Sequence, residues 1–232
     1  MYYFALLQVR ERDITAEEAG REVQAYLDFH AREATAILAG DALGSAAEGV
    51  RISGGADAPV VTDGPFAEGT EVAGGYYVFE ADNLDEALHL ARQIPAATHG
   101  CVEVWPMVHW NPVKRPTTDS DWFALLLEPA DRVAAPGSAE WEAGARQHVE
   151  FGQAAGSQIL GGAPLHLPST ATTVRVRDGE VLLTDGPFAE GAEVANGFYV
   201  LSAADRDDAV KLASMIPASG VSLRRLAGVS GL

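Results

Sequence analysis

Basic side chains are scarce in this 232-residue chain: 16 Lys and Arg stand against 33 Asp and Glu, a formal net charge of −17. Such a surface repels phosphate backbones and anionic bilayers, so neither nucleic acid nor membrane is an expected partner. Cysteine is almost missing. Cys101 alone cannot form an intramolecular disulfide, and no charged-then-apolar leader opens the chain, so a reducing cytoplasm is the expected compartment. Long apolar runs are missing as well. The longest stretch without a formal charge, Phe151 to Val174, is broken by Gly161, Gly162, Pro164 and Pro168 and is rich in Ser and Thr, which excludes a spanning helix there. Walker loops, Rossmann glycine fingerprints, GxSxG elbows and HExxH pairs do not occur, so nucleotide binding and the familiar hydrolase classes lose support. His99, Cys101 and His109 lie close in sequence without a ligand spacing, so no metal and no other cofactor is expected. What is present, 47% hydrophobic and 21% charged residues, suits a globular protein with a sizeable core.

The sequence is written twice. Thr62 to Pro95 returns at Thr184 to Pro217 with a constant offset of 122 and 21 identities in 34 positions. The same offset pairs Phe29 with Phe151 and Ile37-Leu38 with Ile159-Leu160, while Phe4 to Leu7 recurs at Phe123 to Leu126 with offset 119. Two units of ordinary domain size follow, 1–110 and 122–232, joined by a polar connection over 111–121 that Pro112 and Pro116 stiffen.

Each unit reads as strand, helix, hairpin, strand, helix, strand. Tyr2 to Val9 and Trp122 to Leu127 are compact apolar runs typical of buried strands. Thr15 with Glu18 forms a capping box, and Gly40 is the expected stop of the helix that follows. Val23, Tyr26, Leu27, His30, Ala34, Ile37 and Leu38 then form one inward stripe. Asp178-Gly179 between two apolar runs is a hairpin signal. Gly75 to Glu80 and Gly197 to Ser202 read as strands, each followed by a helix opened near Asn83 or Asp205 and ended by Pro95 or Pro217. Cys101 to Pro106 closes the first unit. The βαββαβ order predicts an α+β fold of ferredoxin-like units, helices on one sheet face and the other face free to be covered by the second unit.

The most distinctive string is Asp63-Gly64-Pro65-Phe66-Ala67-Glu68, repeated as Asp185 to Glu190 and followed by Gly75-Tyr76-Tyr77 or Gly197-Phe198-Tyr199. With PSTATTVRVRDG before the second copy and VEVWP after the first, the chain resembles the YCII-related (DGPF) domain family over nearly all of both halves. The resemblance implies a dimeric α/β barrel, two ferredoxin-like sheets facing each other around a pocket, here supplied by one chain as an intramolecular pseudo-dimer. It also implies cofactor-independent catalysis by a His and Asp pair in some relatives, and in others a gene beside an extracytoplasmic-function sigma factor.

Asp63 and Asp185 read in two ways, as turn makers whose carboxylates bond to backbone amides and as buried acids or bases. Glu68 and Glu190 read as solvated. His30 and His148 likewise read in two ways, as satisfied core histidines and as acid/base groups; in the second reading the expected pairs are His30 with Asp63 and His148 with Asp185. At offset 122 His148 stands against Tyr26 and Gly152 against His30, so the copies have diverged on this stripe. Tyr26, Tyr77, Tyr199, Glu103 and Trp105 are the candidate ligand contacts; the second copy has Val221-Ser222-Leu223-Arg224-Arg225 where the first has the acid, so two equivalent sites are not expected. Two functional classes stand open: a small-molecule binder or cofactor-independent elimination or isomerisation enzyme, and a non-catalytic partner of a sigma factor whose acidic surface docks on a basic protein. The pseudo-dimer is expected as a monomer or as a unit of a larger homo-oligomer.

Overall fold

The computed structural model describes residues 1–10, 14–55, 57–64, 71–188 and 193–229. The first half runs β1 (Tyr2–Val9), α1 (Ala16–Glu33), β2 (Ile37–Ala42), β3 (Val50–Ser53), β4 (Val60–Asp63), β5 (Val72–Glu80), α2 (Leu84–Ala91), α3 (Ala96–His99) and β6 (Cys101–Pro106). The second runs β7 (Asp121–Pro129), α4 (Ala139–Ala155), β8 (Ile159–Pro164), β9 (Thr172–Arg177), β10 (Glu180–Asp185), β11 (Glu193–Ser202), α5 (Arg206–Ala213) and β12 (Gly220–Arg225). The fold is α+β with two antiparallel sheets.

Local signals act largely as read. Thr15 caps α1 through the capping box, its hydroxyl accepting from the Glu18 N–H at 3.2 Å while the Glu18 carboxylate accepts from the Thr15 N–H at 2.8 Å. Asn83 and Asp205 cap α2 and α5, and Asp178 (φ 52°) with Gly179 (φ 81°) makes the two-residue turn between β9 and β10. One expectation fails. The first helix does not reach Gly40 but ends at Glu33, and Ile37-Leu38 begin β2. Ile37 joins the helix-side core while Leu38 packs towards the opposite face, the alternation of a strand. Gly40 serves β2 instead, since a Cβ there would stand 2.5 Å from the Tyr77 ring. The predicted stripe breaks accordingly: Val23 and Leu27 are exposed, and Phe29 is the residue α1 buries.

Four strands of each half give the orders β6-β1-β5-β2 and β12-β7-β11-β8, the arrangement of the split βαβ pattern. The remaining strands are exchanged. The β9–β10 hairpin of the second half pairs with β6 through Val102 to Val104, and the β3–β4 hairpin of the first half pairs with β12 through Gly220 to Leu223. Each six-stranded sheet thus takes two strands from the other half. The connection 111–121 runs along the free side of β8: Asn111 and Gly162 exchange backbone bonds of 3.0 and 3.1 Å, and Lys114 donates to the Leu160 carbonyl at 3.0 Å. Arg115 clamps the fully buried Asp121 carboxylate with bonds of 2.7 and 2.8 Å.

The sheets bury their inner faces against each other. Phe4 and Tyr76 of the first half stack on Phe198 and Phe123 of the second, with centroids 4.7 and 4.6 Å apart, and Trp105 joins the same cluster. The pocket expected between the sheets is therefore filled by aromatic side chains. The helices cover the outer faces, α1 to α3 on the first sheet and α4 with α5 on the second. Within the aromatic layer the Tyr76 hydroxyl is buried without a hydrogen-bond partner, and its counterpart Phe198 has no hydroxyl.

Two outcomes follow. Phe123→Ala removes a ring from the layer both halves share, so it should cost about 3–5 kcal/mol and lower a single unfolding transition common to both sheets, measured by calorimetry. Tyr76→Phe removes an orphan polar group whose burial costs on the order of 1–3 kcal/mol, so its thermal midpoint should equal or exceed that of the wild type.

Candidate active site

Both halves hold a His–Tyr couple, reached by different routes. His30 on α1 bonds through Nε2 to the Tyr77 hydroxyl on β5 at 2.6 Å, and His148 on α4 bonds through Nδ1 to the Tyr199 hydroxyl on β11 at 3.0 Å. Tyr77 and Tyr199 are equivalent at offset 122, but His30 and His148 lie one helical turn apart in the repeat. The imidazoles therefore reach the equivalent hydroxyl from helix positions one turn apart and present different nitrogens to it.

The surroundings of the couples differ because the copies differ in length. Six residues separate Pro95 from Val102, but three separate Pro217 from Val221, which occupies the same place in its sheet. The first half uses the extra residues to build α3, and Tyr26, the counterpart of His148, packs against the core cluster to which α3 gives Ala96 and Ala97. In the second half α3 has no counterpart. Ser219 in the shortened connection donates from N–H to Glu128 at 2.8 Å and from its hydroxyl to the other carboxylate oxygen. Beneath α4 a cavity of about 470 Å³ remains, lined by Trp141, Gly144, Ala145 and His148 of the helix and by Leu126, Glu128 and Tyr199 of the sheet. Arg132, Glu140 and Asn196 also reach it, with His109 and Asn111 from the connection.

Burial sets the protonation of these groups. It pushes His148 down from 6.5 to about 4 and Tyr199 up from 10.0 to about 12, so at neutral pH the imidazole is uncharged and the phenol keeps its proton. His30 is also lowered and Tyr77 raised, in both cases mainly by desolvation. An uncharged imidazole bonded to a phenol has two tautomeric arrangements. With Tyr199 donating to Nδ1, Nε2 carries a hydrogen and donates. With Nδ1–H donating to Tyr199, Nε2 accepts and the hydroxyl is free to donate.

The His and Asp pairs expected from the sequence do not form. Asp63 sits on β4 at the edge of the second sheet, 72% exposed and ion-paired with Arg206, while His30 lies over the first sheet. Asp185 sits exposed on β10 at the edge of the first sheet, while His148 lies over the second. Hairpin exchange carries each aspartate away from the histidine of its own half. Glu68 and Glu190 lie outside the described residues.

Tyr77 and Tyr199 face the helices, which settles the strand parity left open by the sequence. Glu103 and Trp105, expected as ligand contacts, are occupied by protein. Glu103 is 3% exposed and accepts from Gln8 at 2.8 Å and from the Trp105 indole at 3.1 Å; desolvation raises its pKa. Ser222 takes the place of Glu103 opposite Leu125, as Glu103 stands opposite Leu6. Burial pushes the Cys101 thiol up to about 12, so it is a poor nucleophile. Among the described residues no three His, Cys, Asp or Glu side chains gather as a metal site. Trp141, Gly144, Glu128 and Arg132 were missed in the sequence reading, although the three-residue shortfall after Pro217 was a legible sign of space in the second half.

Comparison with known proteins supplies the kinship. A 60-residue segment is 40% identical to an uncharacterized protein of Rhizobium meliloti (strain 1021), covering 25% of this chain and 48% of that protein, so the match spans about half of the relative's length. A crystal structure of a chlorite dismutase-like protein superposes with a TM-score of 0.43 at 7% identity, over 98% of this chain and 95% of that one. No helix among the described residues is long and apolar enough to cross a membrane. The YCII-related domain matches residues 1–111 and again 123–224, in register with the internal repeat. The chain belongs to the YCII-related domain family and carries its domain twice in tandem.

Proposed function

We propose that the chain binds a small organic molecule in the cavity beneath α4 and that His148 and Tyr199 act there as a cofactor-independent acid/base couple for an elimination or isomerisation. The observation that carries this reading is the hydrogen-bonded couple on the wall of a cavity of about 470 Å³, within the size range of small-molecule sites. In the tautomer with Nε2 unprotonated, His148 takes a proton from a carbon beside a carbonyl while the Tyr199 hydroxyl donates to the carbonyl oxygen, on which the electron pair settles. The two sheets are read as the halves of an intramolecular dimeric α/β barrel, supported by the isolated backbone bridges Leu43–Leu226 and Met107–Leu165 between strand ends of opposite sheets.

A thermal-shift panel of phenols, quinones, lactones and hydroxy acids tests the reading, since a ligand at about a hundredfold its Kd adds about 2.7 kcal/mol of stability. At least one shift is expected, abolished by His148→Ala and reduced by Tyr199→Phe, with His30→Ala unaffected. Silence across the panel, or hits untouched by both substitutions, overturns it.

The pH dependence has a definite sign. His148 binds its proton at about 6.5 when unfolded and at about 4 when folded, so the stability held by the neutral form is present above pH 6.5 and is lost as pH falls towards 4. Denaturation midpoints of the wild type should therefore drop faster over this window than those of His148→Asn, and the His148 ring protons should titrate near pH 4 by NMR.

A further inference from the structure

Gly144 is the member of the α4 wall that packing does not explain. It lies within the helix, where glycine is less stable than alanine, and a Cβ built on it meets no atom within 4 Å. The residue nonetheless lines the cavity, on the same helical stripe as Trp141 and His148, at i+3 from one and i+4 before the other. Its counterpart in α1 is Glu22. The space in front of Gly144 is thus open, in a cavity whose wall also holds Trp141, His148 and Tyr199.

The charges around it bear on what the space accepts. Glu128 and Glu140 against Arg132 give one positive and two negative groups, a net of −1 before the histidines are considered. Both oxygens of Glu128 are already taken by Ser219, and the chain as a whole carries −17. An anion is repelled, since the one guanidinium of the lining, Arg132, stands against two carboxylates. We infer that the cavity takes a flat molecule of one or two rings that carries no negative charge and has a hydrogen-bonding oxygen or nitrogen, and that Gly144 sets the upper limit of its size.

This inference rests on the cavity reading above and names the ligand class for it. Fluorescence titration with 2-naphthol and 2-naphthoate, the same ring system without and with a carboxylate, tests it on the full chain. Wild-type protein should bind 2-naphthol at least about tenfold more tightly than 2-naphthoate, a difference of about 1.4 kcal/mol. Gly144→Leu should weaken 2-naphthol binding by a similar factor or more, with a circular dichroism spectrum and thermal midpoint no worse than wild type. Gly144→Ala should raise the midpoint and keep most of the binding. Equal or tighter binding of 2-naphthoate overturns the charge argument, and undiminished binding by Gly144→Leu overturns the size limit. A Gly144→Leu protein that does not fold contradicts the open space at this position and overturns the size limit as well. Should the wider panel give hits lost in His148→Ala while 2-naphthol fails to bind, this inference falls alone. Silence towards panel and naphthol together takes the cavity reading with it.

Discussion

The pairing of β9 with β6 and of β3 with β12 is the constraint on which the rest of the molecule depends. Val174 of the second half lies in the helix-side core of the first sheet, and Val50 and Ile52 of the first half lie in that of the second. Neither half can bury its own apolar surface without the hairpin of the other, so sheet completion and association of the halves are one event. The Asp-Gly pair of each DGPF string stands at the end of one of these hairpins. Gly64 donates to the Gly49 carbonyl at 2.9 Å, Gly186 donates to the Ala171 carbonyl at 2.8 Å, and the Thr173 hydroxyl donates to Gly186 at 2.9 Å. In the second copy the contact continues: the Phe188 ring lies 4.6 Å from the Arg175 guanidinium. The most conspicuous string in the sequence therefore works first as the fastening of an exchanged hairpin, in line with the turn-forming chemistry of Asp, Gly and Pro.

Duplication lets one copy change while the other holds the fold. The aromatic layer between the sheets is built from equivalent positions, Phe4 with Phe123 and Tyr76 with Phe198, and is shared. The outer faces are not shared, and divergence has accumulated there. In the first half Tyr26 and α3 fill the ground between helix and sheet. In the second, three fewer residues, a histidine in place of the tyrosine and a glycine on the helix wall leave it open. The same hydrogen bond to the strand tyrosine survives in both, made from helix positions one turn apart and through different imidazole nitrogens.

Desolvation gives the couple in the cavity its character. Burial accounts for the lowered pKa of His148. A His–Asp pair would have held an imidazolium; a buried His–Tyr pair keeps both partners neutral.

Much of this was written in local sequence. The apolar runs at Tyr2 to Val9 and Cys101 to Pro106, the Thr15 box, the Asp178-Gly179 turn and the doubled DGPF string specify their elements because each depends on neighbours a few residues away. Gly40 was misread because a glycine after an apolar stripe serves equally as a helix stop and as the bare strand position over which the Tyr77 ring lies; only the packing distinguishes them. The partner of a histidine was not legible at all. Alternation along a strand says which side chains share a face, but it does not say which sheet the strand joins, and a hairpin has the same internal pairing in either place. That choice rests on long-range burial summed over both halves. It moved Asp63 and Asp185 to the far sheets, left Tyr77 and Tyr199 beneath the helices, and so decided which residues meet in the cavity.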